Sequence, residues 1–179
     1  MTPRVLIAGI GNILLQDDGL GPQAIARLQA EYDFGEEVEL LDIGTPTLDF
    51  VDYLREREIV VLVDALGSGG EPGEILTFNK EQLNGVLPNM RLSAHQPCLN
   101  ETLHTAETAG IDLKEVLLAG VVGHSFDVGT ELGPYVSQAV PELLELVVEF
   151  VRQHGVKIER RAIVQTTRPW WESDSVVKA

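Results

Sequence analysis

The chain has 179 residues, of which 44% are apolar and 23% charged, the values of a globular chain long enough for one ordinary domain with a substantial core. Its formal net charge of −15 opposes binding to a phosphate backbone, and its single cysteine, Cys98, excludes an internal disulfide framework. No apolar run approaches the roughly 20 residues needed to span a bilayer, and MTPRVLIAG at the start reads as a strand rather than a signal peptide, so the expected location is cytoplasmic.

Val5-Leu-Ile-Ala8 is a continuous apolar run ending in Gly9, the pattern of a strand buried on both faces. Pro22 suits the first turn of a helix whose inward stripe is Ile25, Leu28 and Tyr32. Residues 38–42 predict a second strand ended by Gly44, followed by a helix over roughly 47–56, capped by Thr45 or Thr47, with Leu48, Val51 and either Tyr53 or Leu54 inward. Ile59-Val-Val-Leu-Val-Asp64 is the most emphatic strand, and it ends in aspartate. Residues 74–78 form a weaker strand after the turn GSGGEPG, which is too short for a crossover helix and so predicts an antiparallel strand. A helix over 99–109 and a buried strand over 116–122 follow. The last helix begins near Pro134 or Tyr135 and ends at His154, with Val140, Leu143, Leu144, Val147 and either Phe150 or Val151 inward; Pro141 should kink or restart it. This alternation predicts a three-layer α/β domain over residues 1–155 with a mostly parallel sheet, and leaves 156–179, with Trp170 and Trp171, as a tail without an assigned role.

Ligands of open parallel sheets bind beyond the carboxyl ends of the strands. Three predicted strands bring acidic residues to that edge: Asp17 and Asp18 after the first, Asp42 at the second, Asp64 at the third. Each alone reads as a turn former or a helix cap; their shared edge is the signal. Gly9-Ile-Gly11 opens like a dinucleotide fingerprint, but Leu14 stands where the third glycine belongs. The two carboxylates that follow would repel a pyrophosphate by about several kcal/mol per charge pair at an effective dielectric near 20. A divalent cation fits better, with a histidine as the further ligand expected for zinc or nickel. His95 lies in an irregular segment before a helix, within reach of the edge, and His124 follows the last strand. His104 reads as a solvated helix residue and His154 as a partner of a helix end. Cys98, three residues after His95, lacks an orienting third group and reads as an ordinary cysteine rather than a nucleophile.

Taken together, GIGNILLQDDGLG, LLDIGT, VVLVDAL and SAHQ resemble the maturation endopeptidases of nickel–iron hydrogenases, in order and in spacing, over about residues 4–150. The resemblance implies an α/β/α sandwich with a mixed, mostly parallel five-stranded sheet containing one antiparallel strand. It also implies removal of a C-terminal extension from the hydrogenase large-subunit precursor once nickel is in place. The family's metal contacts fall on Asp18, Asp64 and His95, and a further acidic site position on Asp42, giving four candidate catalytic residues. Nickel would come with the substrate precursor, and another divalent metal such as zinc is the alternative occupant in the isolated protein. Of the adjacent pair, Asp18 should then face the metal and Asp17 cap the helix or fix the loop, because neighbouring side chains diverge by about 100° on a helix.

Two departures accompany the resemblance: GHSF stands where many members carry a proline-containing turn, and the chain after about residue 155 extends past the usual end. Two other functions fit the same ligands, a non-enzymatic nickel-checking or delivery chaperone and a self-contained zinc peptidase. The absence of an HExxH signature disfavours the latter. Partner choice is expected in surface loops, GSGGEPG and 79–94 among them.

Overall fold

The aliphatic runs become a single five-stranded sheet in the computed structural model, which describes residues 2–47, 49–85, 95–165 and 171. In chain order the elements are β1 (Val5–Ile10), a 3-10 turn (Gln16–Gly19), α1 (Leu20–Glu31), β2 (Tyr32–Asp33), β3 (Val38–Gly44), α2 (Phe50–Tyr53) and β4 (Ile59–Leu66). There follow β5 (Ile75–Asn79), α3 (Lys80–Gly85), α4 (Gln96–Thr108), β6 (Glu115–Val122), α5 (Pro134–Gln153) and β7 (Glu159–Arg160). The sheet order is β3-β1-β4-β6-β5, parallel throughout except for β5, which pairs antiparallel with β6 as the short glycine-rich turn requires. Among the described residues no helix is long and apolar enough to cross a membrane.

Every residue of β1 and β4 is buried, because helices cover both faces of the sheet; that is why these strands read as unbroken apolar runs. Alternation along β4 sends Ile59, Val61, Val63 and Ala65 into a core shared with α1 and α5. Val60, Leu62 and Leu66 enter a second core with Phe50, Leu54, Leu99 and Leu103 from α2, α4 and their flanks. Gly9 and Gly21 let α1 lie directly on β1: a Cβ at Gly21 would fall 2.2 Å from the backbone of Ile10.

Several local expectations change. The helix expected over 47–56 shrinks to the single turn α2, since Glu56 takes a positive φ of 61° and reverses the chain; its first-turn partner Leu48 lies outside the described residues. Leu54 rather than Tyr53 is the buried one. Tyr32 is buried but begins β2 instead of ending α1. α4 starts three residues earlier than expected, with Pro97 in its first turn. α5 does not restart at Pro141, which sits on the exposed face, and Val151 rather than Phe150 completes its buried stripe. α3 was not legible, and Trp170 and residues 86–94 lie outside the described residues.

Two tethers fix the ends of these layers. At the carboxyl edge the fully buried Asp17 carboxylate accepts the backbone N–H groups of His124 (2.8 Å), Ser125 (3.0 Å) and Gly133 (2.7 Å), binding the loop after β6 to the 3-10 turn. Gln16, at a positive φ of 43°, donates to Gly129 O at 2.8 Å and closes the same junction. At the opposite edge Val156 and Ile158 enter the α1/α5 core, and β7 pairs antiparallel with β2. There Arg160 stacks over the Tyr32 ring at 5.7 Å and reaches Glu31 at 3.2 Å, while the Tyr32 hydroxyl donates to Glu145 at 2.8 Å.

Two outcomes follow from these tethers. Asp17→Ala leaves three inward-facing N–H groups without their acceptor, which should cost about 3 kcal/mol or more of stability in urea denaturation. Burial first, and then the hydrogen bond to Glu145, push the Tyr32 hydroxyl up to about 12 from 10.0. The neutral form is thus favoured in the fold: its stabilisation is complete below the unfolded value and is lost as pH rises from there through the folded one. Urea midpoints across this alkaline window should fall more steeply for the native chain than for Tyr32→Phe.

Candidate active site

β1 and β4 are neighbours in the sheet, yet the chain leaves β1 for α1 on one face and returns after β4, through β5 and α3, to α4 on the other. A crevice opens at such a reversal, beyond the carboxyl ends of the two strands. The turn after β1 carries Asp18 to this crevice. Asp64, near the end of β4, falls by alternation on the α4 side of the sheet. α4 leads back to β6, which is parallel to β4, so its N-terminus lies at the same edge; His95, its N-cap residue, therefore arrives beside both carboxylates.

All three residues are buried, and one ligand atom from each lies within 4.8 Å of the other two. His95 Nε2 is 3.2 Å from Asp18 Oδ1, while Asp18 Oδ2 accepts the backbone N–H of Asn12 at 2.7 Å. Gly11 makes this turn feasible: its φ is +135°, and a Cβ there would overlap the Asp18 carbonyl oxygen at 1.8 Å. Both Asp64 oxygens are shielded from solvent. The hydrogen bond with Asp18 raises the His95 pKa above its ordinary value; burial opposes this, and the charges of Asp64 and Asp18 assist it.

Two carboxylates and an imidazole are donors suited to zinc or nickel. The 3.2 Å between Asp18 Oδ1 and His95 Nε2 matches the about 3.3 Å between ligands of a tetrahedral ion with bonds of about 2.0 Å. A cation and the His95 proton compete for one place, so ligation requires the neutral imidazole. Among the described residues this is the one cluster of three such groups.

The other sequence candidates separate. Asp42 stands opposite Gly9 on the edge strand β3, where its Oδ1 accepts the Gly44 N–H at 3.0 Å; it is outside the three-residue cluster and lines two small cavities of about 210 and 240 Å³. Asp17 is the loop anchor already described and caps no helix. His124 sets its ring edge-on to Tyr135 at 5.6 Å and is not in the cluster. His104 is exposed on α4, and His154 caps the end of α5 with its Nδ1 2.8 Å from Phe150 O. The Cys98 side chain lies outside the described residues. Asn12, which holds Asp18 through its backbone, was missed by sequence reasoning, because a main-chain donor leaves no side-chain signature.

Residues 22–150 match the family model described as hydrogenase maturation protease. The hydrogenase expression/formation protein HupD of Thiocapsa roseopersicina is 32% identical over 160 residues, 89% of this chain and 72% of that protein. The hydrogenase 2 maturation protease of Escherichia coli is 31% identical over 162 residues, covering 89% of this chain and 98% of that one. The solved structure of the hydrogenase maturating endopeptidase HybD from E. coli superimposes with a TM-score of 0.83 at 29% identity, over 89% of this chain and 98% of the other. The [NiFe] hydrogenase maturation protease HybD from Thermococcus kodakarensis gives 0.68 at 29% identity, over 82% and 98%. Sheet order and relatives agree, and the chain belongs to the hydrogenase maturation protease family, a family of peptide-bond hydrolases.

Proposed function

We propose that this endopeptidase removes the C-terminal extension of a nickel–iron hydrogenase large-subunit precursor after nickel insertion, and that it recognises the nickel through Asp18, Asp64 and His95. The observation that carries the reading is their convergence: three buried side chains from three separate elements, with ligand atoms within 4.8 Å of one another. Three protein donors leave a coordination shell incomplete. On this reading the metal belongs to the substrate, and only a nickel-loaded precursor completes the shell. Nickel bound there would supply Lewis-acid polarisation of the scissile carbonyl or of a water.

The chain's own residues do the rest. Asn12 N–H fixes the orientation of the Asp18 carboxylate, leaving the other oxygen directed at His95. Asp64, fixed in the central strand, opposes charge loss at the site with a second carboxylate. His95 would ligate only as the neutral imidazole, its Nε2 proton leaving to solvent as the cation enters and returning to the same nitrogen when the cation departs. Asp42, on the neighbouring strand, is assigned the orientation of the substrate backbone or acceptance of a proton beside the cavities it lines. Zinc in the isolated protein would occupy the same donor set.

The reading is tested by mass measurement of the precursor after incubation with the enzyme. Nickel-loaded precursor should lose its extension and nickel-free precursor should not; equal cleavage of both overturns the nickel requirement. Outer-shell partners of a metal are worth about 10–100-fold, so His95→Ala should slow processing by at least that much while the circular dichroism spectrum is retained. Asp42→Asn should slow cleavage yet leave co-purification of nickel-loaded precursor with the enzyme unchanged.

A further inference from the structure

We infer that Asp17 is a positioning residue of the reaction, holding the turn from which Asp18 reaches the crevice. The inference rests on the reading that Asp18, Asp64 and His95 engage the metal, and it adds the group that orients the first of them. Asp17 is fully buried, yet it lies outside the three-residue cluster and takes no part in the ligation described above. Its carboxylate instead meets main-chain donors: Oδ2 accepts the N–H groups of His124 and Ser125, and Oδ1 accepts that of Gly133. Its own N–H donates to Ser125 O at 3.1 Å, and the preceding Gln16 N–H donates to Gly129 O at 2.8 Å. The loop also closes on the side chain sterically. A Cβ at Gly123 would lie 3.2 Å from the Asp17 Cβ, and one at Gly133 would lie 3.0 Å from Oδ1.

The Asp18 N–H donates to Leu15 O and the Leu20 N–H to Asp17 O, but such bonds travel with the turn Gln16–Gly19 and cannot fix its orientation. One end of the turn is fixed by α1, which lies directly on β1. The other end is held by the loop after β6, through Asp17 and Gln16. With that hold released the turn can rotate, and Asp18 Oδ1 leaves its place 3.2 Å from His95 Nε2. A reacting group misplaced by about 1 Å can lose about 100-fold in rate. Geometry also explains why the anchor is a carboxylate. Asparagine offers one acceptor oxygen, so its own NH2 would face either the Gly133 N–H or the pair from His124 and Ser125. The same donors keep Asp17 turned from the cluster, so the loop selects which of the two adjacent carboxylates faces His95.

The test compares Asp17→Asn, Gly133→Ala and Gln23→Ala with the native enzyme. Gly133→Ala keeps the Asp17 carboxylate but presses on it, and the Gly133 φ of −61° suits alanine. Gln23→Ala removes another tether of the same loop, the 3.0 Å bond from Gln23 Nε2 to Thr130 O, and leaves the turn alone. With nickel-loaded precursor, kcat should fall about tenfold or more in Asp17→Asn and about threefold or more in Gly133→Ala, with KM within about twofold of native. Hydrogen exchange should quicken at His124, Ser125 and Gly133, and also at the Asn12 amide, which reports the Asp18 carboxylate. Gln23→Ala should keep the native kcat and the native exchange at Asn12. Faster exchange in the loop alone, with kcat and the Asn12 amide unchanged, overturns the inference, because Asp17 would then hold only the loop. An equal loss of kcat in Gln23→Ala overturns it as well. Gly133→Ala decides the matter should Asp17→Asn fail to fold. If nickel-free precursor is cleaved as fast as loaded precursor, the nickel reading fails, while exchange at Asn12 and the kcat ratio still decide the role of Asp17.

Discussion

Two carboxylates on consecutive buried residues repel each other and lose hydration, so the turn Gln16–Gly19 must supply a separate compensation for each. It does so by sending them apart. Asp17 turns toward the loop after β6 and is satisfied by main-chain N–H groups, which cannot lose a proton or move away. Asp18 turns toward α4 and is met by one main-chain N–H and by His95. One aspartate thus anchors the loop after β6 and the other faces His95. The positive φ of Gln16 is the local strain that this divergence requires, and the bond to Gly129 holds it in place.

The topology explains why the third and fourth groups come from so far away in sequence. A doubly wound sheet brings the end of β4 beside the end of β1, and the return helix α4 starts at the same edge. Asp18, Asp64 and His95 are therefore assembled by three rules of chain packing rather than by a contiguous motif. Burial intensifies their mutual electrostatics: the same carboxylates that favour a cation also favour a proton on His95. On the proposed reading, in which the metal belongs to the substrate, a proton on His95 would refill the site once the metal leaves.

Much of this was readable in the chain because the physics is local. Val5-Leu-Ile-Ala8 and Ile59–Val63 are unbroken apolar runs only because both faces of the sheet are covered, and GSGGEPG is too short to allow anything but an antiparallel return. The acidic residues were legible as a set because each follows or ends a strand, and the edge is fixed by that fact. What was not legible depends on main-chain partners and on long-range contacts. The three N–H groups that hold Asp17 leave no mark on the identities of His124, Ser125 or Gly133. The pairing of β2 with β7 involves two residues on each side, too few for a periodic signal. The end of the helix expected over 47–56 was set by the φ of Glu56, a residue type that gives no warning of a left-handed conformation.

The segment Gly9–Gly21 shows how these levels combine. Its first and last glycines allow α1 to rest on β1 with backbone against backbone, which sets where the helix begins. Gly11 then frees the space into which the Asp18 carbonyl folds, so the turn between them is tight enough to keep its carboxylate over the crevice. A side chain at Gly9 or Gly21 would act on the site by moving the helix, and one at Gly11 by striking the Asp18 carbonyl and opening the turn. The same backbone holds Leu14 and the loop 123–133 in place through Gly129 and Asp17. The accuracy of the site and the shape of the surface around it are therefore one property of this turn, since whatever displaces the turn displaces both together.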